Sequence, residues 1–403
     1  MKTQDFIKRE ERYGAHNYHP LPVVLERGEG VHVWDVEGKK YYDFLAAYSA
    51  VNQGHCHPRI VAAMTEQAKK LTLTSRAFFN NVLGEYEEYM SKLFGYDKVL
   101  PMNTGAEADE TAIKIARKWG YEKKGIPDNK AKIIVAENNF HGRTITVISM
   151  STDPDAYRGF GPYTPGFMTI PYNDIDALEK ELKDPNVAAF LVEPIQGEAG
   201  VYVPGDGYLK KSYDLCKKNN VLFIADEVQT GIARTGKMLA CDHEGVRPDI
   251  VILGKAISGG VFPISAVLAD DDIMLVIKPG EHGSTFGGNP IAAKVAMAAL
   301  DVVKDEKLME NSEYLGKIFR EGLQNIESDM VELVRGKGLF NAMVIKNKEG
   351  KTAWDVCLAL RDNGLLAKPT HGDIIRFAPP LIINEEQINE AVNIIEKTLK
   401  EFK

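Results

Sequence analysis

Two short apolar runs in this chain each deliver one charged residue at their carboxyl end. VLFIA (221–225) leads into Asp226, and IVILG (250–254) leads into Lys255. Runs of this kind, rich in β-branched residues and bounded by polar turns, read as strands buried on both faces. In open α/β sheets, ligands settle just beyond the carboxyl ends of such strands. A lysine amine there can bond to an aldehyde carbon, and a carboxylate can keep a pyridine nitrogen protonated, which makes the ring an electron sink. The pair therefore suits pyridoxal phosphate and the transfer of amino groups. Either residue alone is more simply a strand end reaching solvent or capping a turn. The pair gains weight from its glycine-rich surroundings, FIADEVQTGIARTG (223–236) and PDIVILGKAISGG (248–260), where backbone can approach a flat ligand.

A phosphate needs a cradle, and NTGA (103–106) stands before a helical pattern carrying Ile113, Ile115, Ala116 and Trp119. Thr104 suits the N-cap, and Gly105 leaves amides open at the positive end of the helix. The first-turn acids Glu107, Asp109 and Glu110 already answer the dipole, so a phosphate there requires them to face away. A second turn, HGSTFGG (282–288), also precedes a helix, and its hydroxyls could reach the same phosphate. GKAISGG (254–260) lacks the glycine and hydroxyl of a P-loop, Gly28, Gly30 and Val33 fail the dinucleotide fingerprint, and no GxSxG occurs. Kinase, dehydrogenase and esterase readings weaken accordingly.

The chain of 403 residues carries a net charge of −8 without a basic block, which argues against nucleic acid or an anionic membrane as partner. Its 44% apolar and 26% charged residues are globular values. Cys56, Cys216, Cys241 and Cys357 lack framework or metal spacing, and His55–Cys56–His57 has no second ligand pair, so no metal is expected. The start, MKTQDFIKREERYG, has no apolar stretch of signal length, and no run suffices for a membrane helix. A soluble, cytoplasmic protein is the expectation.

The elements that must position these residues follow from periodicity. Residues up to about 48 look irregular. From about 49 to 290 helices and strands alternate, the signature of a mainly parallel sheet with helices on both faces. Helices are expected over 59–70 and 83–94, and strands over 132–136, 144–149, 187–192, 221–225, 250–253 and 264–268. A long helical stretch (291–326) follows, then strands near 331–345 and 373–378. The closing stripe of Ile388, Val392, Ile395, Leu399 and Phe402 is core packing.

Beyond these elements the chain resembles the class III (fold type I) pyridoxal-phosphate aminotransferases, nearly from end to end. The resemblance is carried by YGAHNYHPLPVVLERG (13–28), YSAVNQGHCHP (48–58), LTLTSRAFFNNVLGEYEEY (71–89), VEPIQGEAG (192–200), the two strand-end motifs, and LLAKPTHGDIIRFAPPL (365–381). It implies an α/β fold with three parts. These are an N-terminal segment (1–48), a large domain (49–295) with a mostly parallel seven-stranded sheet sandwiched by helices, and a smaller α+β C-terminal domain (296–403).

It also implies roles. Lys255 holds pyridoxal 5'-phosphate and then moves the proton, Asp226 pairs with the ring nitrogen, and Gln229 meets the ring hydroxyl. Phe140 and Val228 pack the two ring faces, and the Gly105 and Ala106 amides take the phosphate. Thr285, with Ser284 nearby, reaches it from a neighbouring subunit, so a homodimer with active sites at the interface is implied. Among members, those acting on ornithine are most similar: they give its δ-amine to 2-oxoglutarate, forming glutamate and a semialdehyde that cyclises to pyrroline-5-carboxylate, a step that links arginine and proline metabolism. Arg376 then takes the α-carboxylate of glutamate or 2-oxoglutarate and Arg143 the distal one. With ornithine, Glu198 masks Arg376 while Arg143 and Tyr18 hold the substrate's α-carboxylate and α-amine. Tyr48 and Glu193 line the same pocket. His141 departs from relatives with tryptophan there, and FHGR (140–143) also occurs in acetylornithine-type enzymes, so acetylornithine or 4-aminobutyrate is the alternative substrate. A non-catalytic relic of the fold would need neither Lys255 nor Asp226.

Overall fold

The structure is a computed structural model and describes residues 2–402. Its first three strands, β1 (Leu25–Glu29), β2 (His32–Asp35) and β3 (Lys40–Asp43), form an antiparallel meander. The seven strands that follow build the main sheet: β4 (Lys98–Met102), β5 (Lys132–Ala136), β6 (Phe167–Ile170), β7 (Val187–Val192), β8 (Leu222–Asp226), β9 (Ile250–Leu253) and β10 (Ser265–Ala269). Their spatial order is β4-β10-β9-β8-β7-β5-β6. Every neighbouring pair from β9 to β6 is parallel, and only β10 runs antiparallel to its two neighbours, β9 and β4. The sheet is therefore α/β and mainly parallel.

All residues of β7, β8, β9 and β10 are buried, because helices cover both faces, as parallel sheets require. Alternate residues feed different layers. Ile250 and Ile252 pack with Ile113, Ala116 and the rest of the helix Gly105–Trp119, whereas Val251 and Leu253 join the layer of the helix Pro290–Asp305. Further along the sheet, Phe190 and Phe223 meet Leu209 and Cys216 of the helix Tyr208–Lys218. The same pleat that buries these residues brings Asp226 and Ile252 side by side at the carboxyl edge.

Beyond the sheet, the helical stretch is two helices, Pro290–Asp305 and Leu308–Gln324, broken where Lys307 takes φ 53°. Strands β11 (Val331–Lys337), β12 (Phe340–Ile345), β13 (Leu365–Leu366), β14 (Lys368–Thr370) and β15 (Ile374–Phe377) follow. Four of them form the antiparallel sheet β11-β12-β15-β14, while β13 leaves it to run parallel to β3. The first and last parts of the chain thus share a sheet.

Several expectations from periodicity differ from the structure, among them the irregular reading of residues up to about 48, which hold a helix (Thr3–Tyr13) and strands β1 to β3. Residues 144–149 do not form a strand: Ile145–Ile148 is a helical turn, and Val147 packs under it against the layer of the helix Gly105–Trp119. A short T-I-T-V-I-S run satisfies both periods, and packing decides. Strands β4 and β6 were not expected, because both lie at sheet edges, are partly exposed, and in β4 include Pro101.

One buried cation ties the parts together. Arg234 is fully buried, and its guanidinium donates to the carbonyls of Leu339 (3.0 Å) and Pro379 (2.8 Å) and to Oδ1 of Asn52. Arg234→Ala would leave three buried acceptors unpaired and is expected to cost about 3 kcal/mol of folding stability. Urea unfolding of the variant, with an unchanged dependence on denaturant, checks this.

Candidate active site

The carboxyl ends of β8 and β9 open into a cavity of about 530 Å3 lined by Gly105, Ala106, Phe140, Asp226, Gln229 and Lys255, with Asp109, His141, Glu193 and Val228 completing its wall. Lys255 follows β9 with φ 42°, an unfavourable left-handed conformation for a lysine. Val228 is wedged between two glycines: a Cβ on Gly105 or on Gly254 would stand 3.0 or 3.1 Å from its methyl groups. A side chain at either place would crowd Val228 and press it out of position.

Asp226 is held on both oxygens. Its Oδ1 accepts from the Val228 N–H (3.0 Å), and its Oδ2 lies 2.7 Å from Nδ1 of His141. Burial alone would lower the imidazole's pKa, but the bond to Asp226 and the charges of Asp226 and Glu193 outweigh it and raise it. His141 and Asp226 thus form a buried, hydrogen-bonded pair in which Asp226 raises the imidazole's affinity for its proton. Burial, helped by the charge of Asp226, pushes the Glu193 carboxyl up to about 7, although the N–H groups of Phe140 (2.9 Å) and Gly197 (3.2 Å) both donate to it. Burial likewise lowers the Lys255 amine, with Asp226, Glu193 and Glu198 pulling it back.

The phosphate cradle begins at Thr104, whose hydroxyl caps the helix Gly105–Trp119 by accepting from the Glu107 N–H (3.2 Å). Glu107 folds back to accept from the N–H groups of Asn103 (2.9 Å) and Thr104 (3.0 Å), and Glu110 bonds Thr144. Both acids therefore face away from the cradle, and the Gly105 and Ala106 N–H groups, among the first of the helix, have no intrahelical partner. Asp109 behaves otherwise. It is buried, lines the cavity, and lies 3.5 Å from Nδ1 of His141. The expectation that all three first-turn acids face outward is corrected at this residue. Desolvation, then Asp226 and Glu193, raise its pKa far above the usual carboxylate range, so a neutral acid stands there and repels nothing. Positions 105 and 109 lie one helical turn apart, a spacing that marks Asp109 as facing the cradle.

On the substrate side, a wider groove of about 1490 Å3 runs from Lys255 and Gln229 past Tyr48, Glu198 and Arg143 to Tyr18. Arg376, buried on β15, donates from Nη1 to Oε2 of Glu198 at 2.8 Å, and its Nε has no partner. Arg143 is exposed, with its Cζ 5.3 Å from the Phe140 ring centroid, and among the described residues no carboxylate pairs with it. Tyr18 is 72% exposed. Tyr48 lies in a run of four non-glycine residues, Ala46 to Ser49, with φ between 45° and 72°. Asp43 steadies that turn by accepting from the N–H groups of Leu45 and Ala46, both at 2.9 Å. The turn sets the Tyr48 ring 5.2 Å from Arg376 Cζ and its carbonyl 3.4 Å from Gln229 Nε2. Ser284 accepts from Asn103 Nδ2 (2.8 Å) beside the cradle, but Thr285 is exposed and does not reach this cavity within one chain.

The residues fit pyridoxal phosphate. A free helix start suits its phosphate, the Asp226 carboxyl its ring nitrogen, a cavity-lining Lys255 its aldehyde, and the buried, unpartnered Oε1 of Gln229 a ring hydroxyl. Asp109, His141 and Asp226 also lie close enough to hold an ion, but each already has a place in this charge arrangement. This sheet, with a lysine and a carboxylate at adjacent strand ends and a phosphate cradle opposite, is that of the fold type I pyridoxal-phosphate transferases.

Comparison with known proteins narrows this. The family model "Aminotransferase class-III" matches residues 13–399, and the chain belongs to that family, which depends on pyridoxal 5'-phosphate. The rat protein named ornithine aminotransferase, mitochondrial, is 66% identical over 400 residues, covering 99% of this chain and 91% of its own length. The ornithine aminotransferase structure from Toxoplasma gondii ME49 superposes with a TM-score of 0.98 at 52% identity, covering 100% of this chain and 96% of that one. An acetylornithine aminotransferase structure from Elizabethkingia anophelis superposes with a TM-score of 0.92 at 64% identity, covering all of both chains.

Asp109 gives a pH test on cofactor-free protein. An acid whose folded pKa is raised binds its proton more tightly folded than unfolded, so it weakens folding as pH rises above the unfolded carboxylate pKa. Asp109→Asn is therefore expected to be stabilising, little at pH 4 and increasingly towards pH 7. The gain grows by about 1.4 kcal/mol per pH unit while the folded carboxyl stays protonated. Urea unfolding of both proteins across that range checks it, and a pH-independent difference contradicts it.

Proposed function

We propose that this chain transfers the δ-amino group of L-ornithine to 2-oxoglutarate, giving glutamate 5-semialdehyde, which cyclises to pyrroline-5-carboxylate, and glutamate. The observation that carries the reading is the pair of arginines at unequal depth, one open (Arg143) and one held by a carboxylate (Arg376 with Glu198). Ornithine must offer a terminal amine to Lys255's position, whereas glutamate offers its α-amine. Their α-carboxylates therefore fall at different distances, and a site serving both needs one guanidinium that can be hidden. The identity to proteins named ornithine aminotransferase supports the same substrate.

Bound pyridoxal phosphate supplies the electron sink. Lys255 would hold the cofactor and, with its amine free, would move a proton at the substrate carbon. Asp226, bonded to His141, would pair with the ring nitrogen and keep it protonated. Gln229 would accept from the ring hydroxyl, Phe140 and Val228 would pack the ring, and the Gly105 and Ala106 amides would take the phosphate. Glu193, on the Phe140 and Gly197 amides, orients the loops that carry the ring-stacking residue and Glu198. Arg143 takes ornithine's α-carboxylate, Tyr18 its α-amine, and Tyr48 packs against Arg376. In the second half-reaction, Arg376 and Arg143 take the two carboxylates of 2-oxoglutarate.

A homodimer belongs to the same proposal: the exposed Thr285, next to Ser284 on the turn 282–288, would complete a partner's phosphate site. So do the division at about residues 48 and 295, which gives each part a sheet of its own apart from β13, and a cytoplasmic location. No helix of the described residues is long and apolar enough to cross a membrane. The rat relative is named mitochondrial, so fractionation of the source cells decides the compartment.

The cofactor-loaded protein is tested by adding ornithine, acetylornithine, 4-aminobutyrate and glutamate separately and following the visible absorbance of the bound cofactor. Rapid loss with ornithine and glutamate, with pyrroline-5-carboxylate as product, is expected; loss with acetylornithine but not ornithine overturns the substrate. Arg143→Ala is expected to lower kcat/KM for ornithine and for 2-oxoglutarate together, each by about a hundredfold. Normal KM values for both would remove Arg143 from the site. Tyr18→Ile is expected to shift preference from ornithine towards 4-aminobutyrate, read as the ratio of the two bleaching rates.

A further inference from the structure

The carboxylate that covers Arg376 is faced by a second cation. Strands β14 and β15 pair antiparallel with Lys368 directly opposite Arg376. Residues opposed in this way project from the same face of a sheet with Cβ atoms about 5 Å apart. That face meets Glu198, which Thr370 of the same strand anchors: the Thr370 hydroxyl donates to the Glu198 carbonyl at 2.8 Å and stands 3.4 Å from its Oε1. Lys368 is half-buried, its Nζ 5.9 Å from the Tyr18 ring centroid, and no carboxylate among the described residues lies within ion-pair distance of it. Burial lowers its pKa; Glu198 is the largest charge acting to restore it, and Arg376 opposes it. Two cations thus share one carboxylate, and only Arg376 has it.

Arg376 holds Glu198 through a single nitrogen, and its only other hydrogen bond among the described residues is a 3.4 Å approach of Nη1 to the Gly197 carbonyl. Such a bond is made to be exchanged. If Arg376 turns to a substrate carboxylate, Glu198 loses its partner in a place where water reaches only about a third of its side chain, and an unpaired charge there is unfavourable.

We propose that Lys368 is the positioning residue that receives Glu198 when Arg376 is released, and that it thereby sets affinity for the dicarboxylate substrates; this rests on the function proposed above. No bond is made or broken: Lys368 stabilises the uncovered state of Arg376, so the equilibrium between covered and uncovered shifts towards the form that binds 2-oxoglutarate and glutamate. With ornithine, Glu198 stays on Arg376, and Lys368 serves only as packing beside Tyr18.

The test uses Lys368→Met, which keeps the hydrocarbon stem and drops the charge, with Lys368→Gln in reserve should the first not fold. KM for 2-oxoglutarate and the dissociation constant of the unreactive dicarboxylate glutarate, measured by calorimetry, are expected to rise about tenfold, while kcat and KM for ornithine change less than about twofold. Lys368→Arg should restore most of the affinity. In a Glu198→Gln background the charge has nothing to receive, so adding Lys368→Met should change glutarate binding no further. Equal losses on the ornithine and dicarboxylate sides would assign Lys368 to packing and overturn the proposal. An undiminished effect in the Glu198→Gln background would mean that Lys368 binds the substrate carboxylate itself, which also overturns it. Failure of the underlying function is seen separately, as wild-type protein whose cofactor absorbance does not respond to ornithine.

Discussion

A cluster of buried acids gathered round one imidazole is the constraint on which the site is built. Asp226 closes a fully buried strand, where a polar group needs partners, and it has them in His141, 2.7 Å away and itself buried, and in the Val228 N–H. The neighbouring Asp109 and Glu193 are both raised by burial and by the charge of Asp226. Burial and mutual repulsion thus disfavour further negative charge around the one carboxyl that stands at the end of β8.

The surrounding chain is shaped by how closely backbone must come to that point. Val228 sits against Gly105 on one side and Gly254 on the other, which joins the cradle, the Asp226 turn and the Lys255 turn into one rigid corner. Strain is accepted in two places nearby, Lys255 itself and the left-handed turn 46–49, at about 1–2 kcal/mol per residue. The second is held by Asp43, and what it secures is the Tyr48 ring beside Arg376 and its carbonyl at Gln229. A strained turn so close to both the ring side and the carboxylate side of the groove couples the two.

Much of this was legible in the amino-acid pattern, for identifiable reasons. Strands β5, β7 and β9 were readable to the residue because both faces are buried, so their buried positions hold only apolar residues, Lys132 at the start of β5 being the half-buried exception. Lys255 and Asp226 stood out as the charges that end such runs. The edge strands β4 and β6 were not readable, since one side of each lacks a neighbour and composition relaxes. Locally, His141 stands out only as an odd neighbour of Phe140, because its partner lies 85 residues away in sequence. Asp109 hides for a different reason: an acid in a first helical turn is so well explained by the dipole that a second role leaves no trace. Lys368 carries no local signal, because the strand register that puts it opposite Arg376 is absent from any local pattern.

That register matters for how such a site can serve two substrates. A guanidinium gripped by two parallel hydrogen bonds would be a poor gate, because both would have to break before the competing carboxylate gained anything. The bond from Arg376 to Glu198 uses one nitrogen and leaves Nε unpartnered, so the covered state is stable without being locked. Thr370 meanwhile fixes the backbone of Glu198, so only the carboxyl end is left to move. On the exchange proposed for Lys368, a short swing of one side chain between two neighbouring cations would take the place of a rearrangement of the fold.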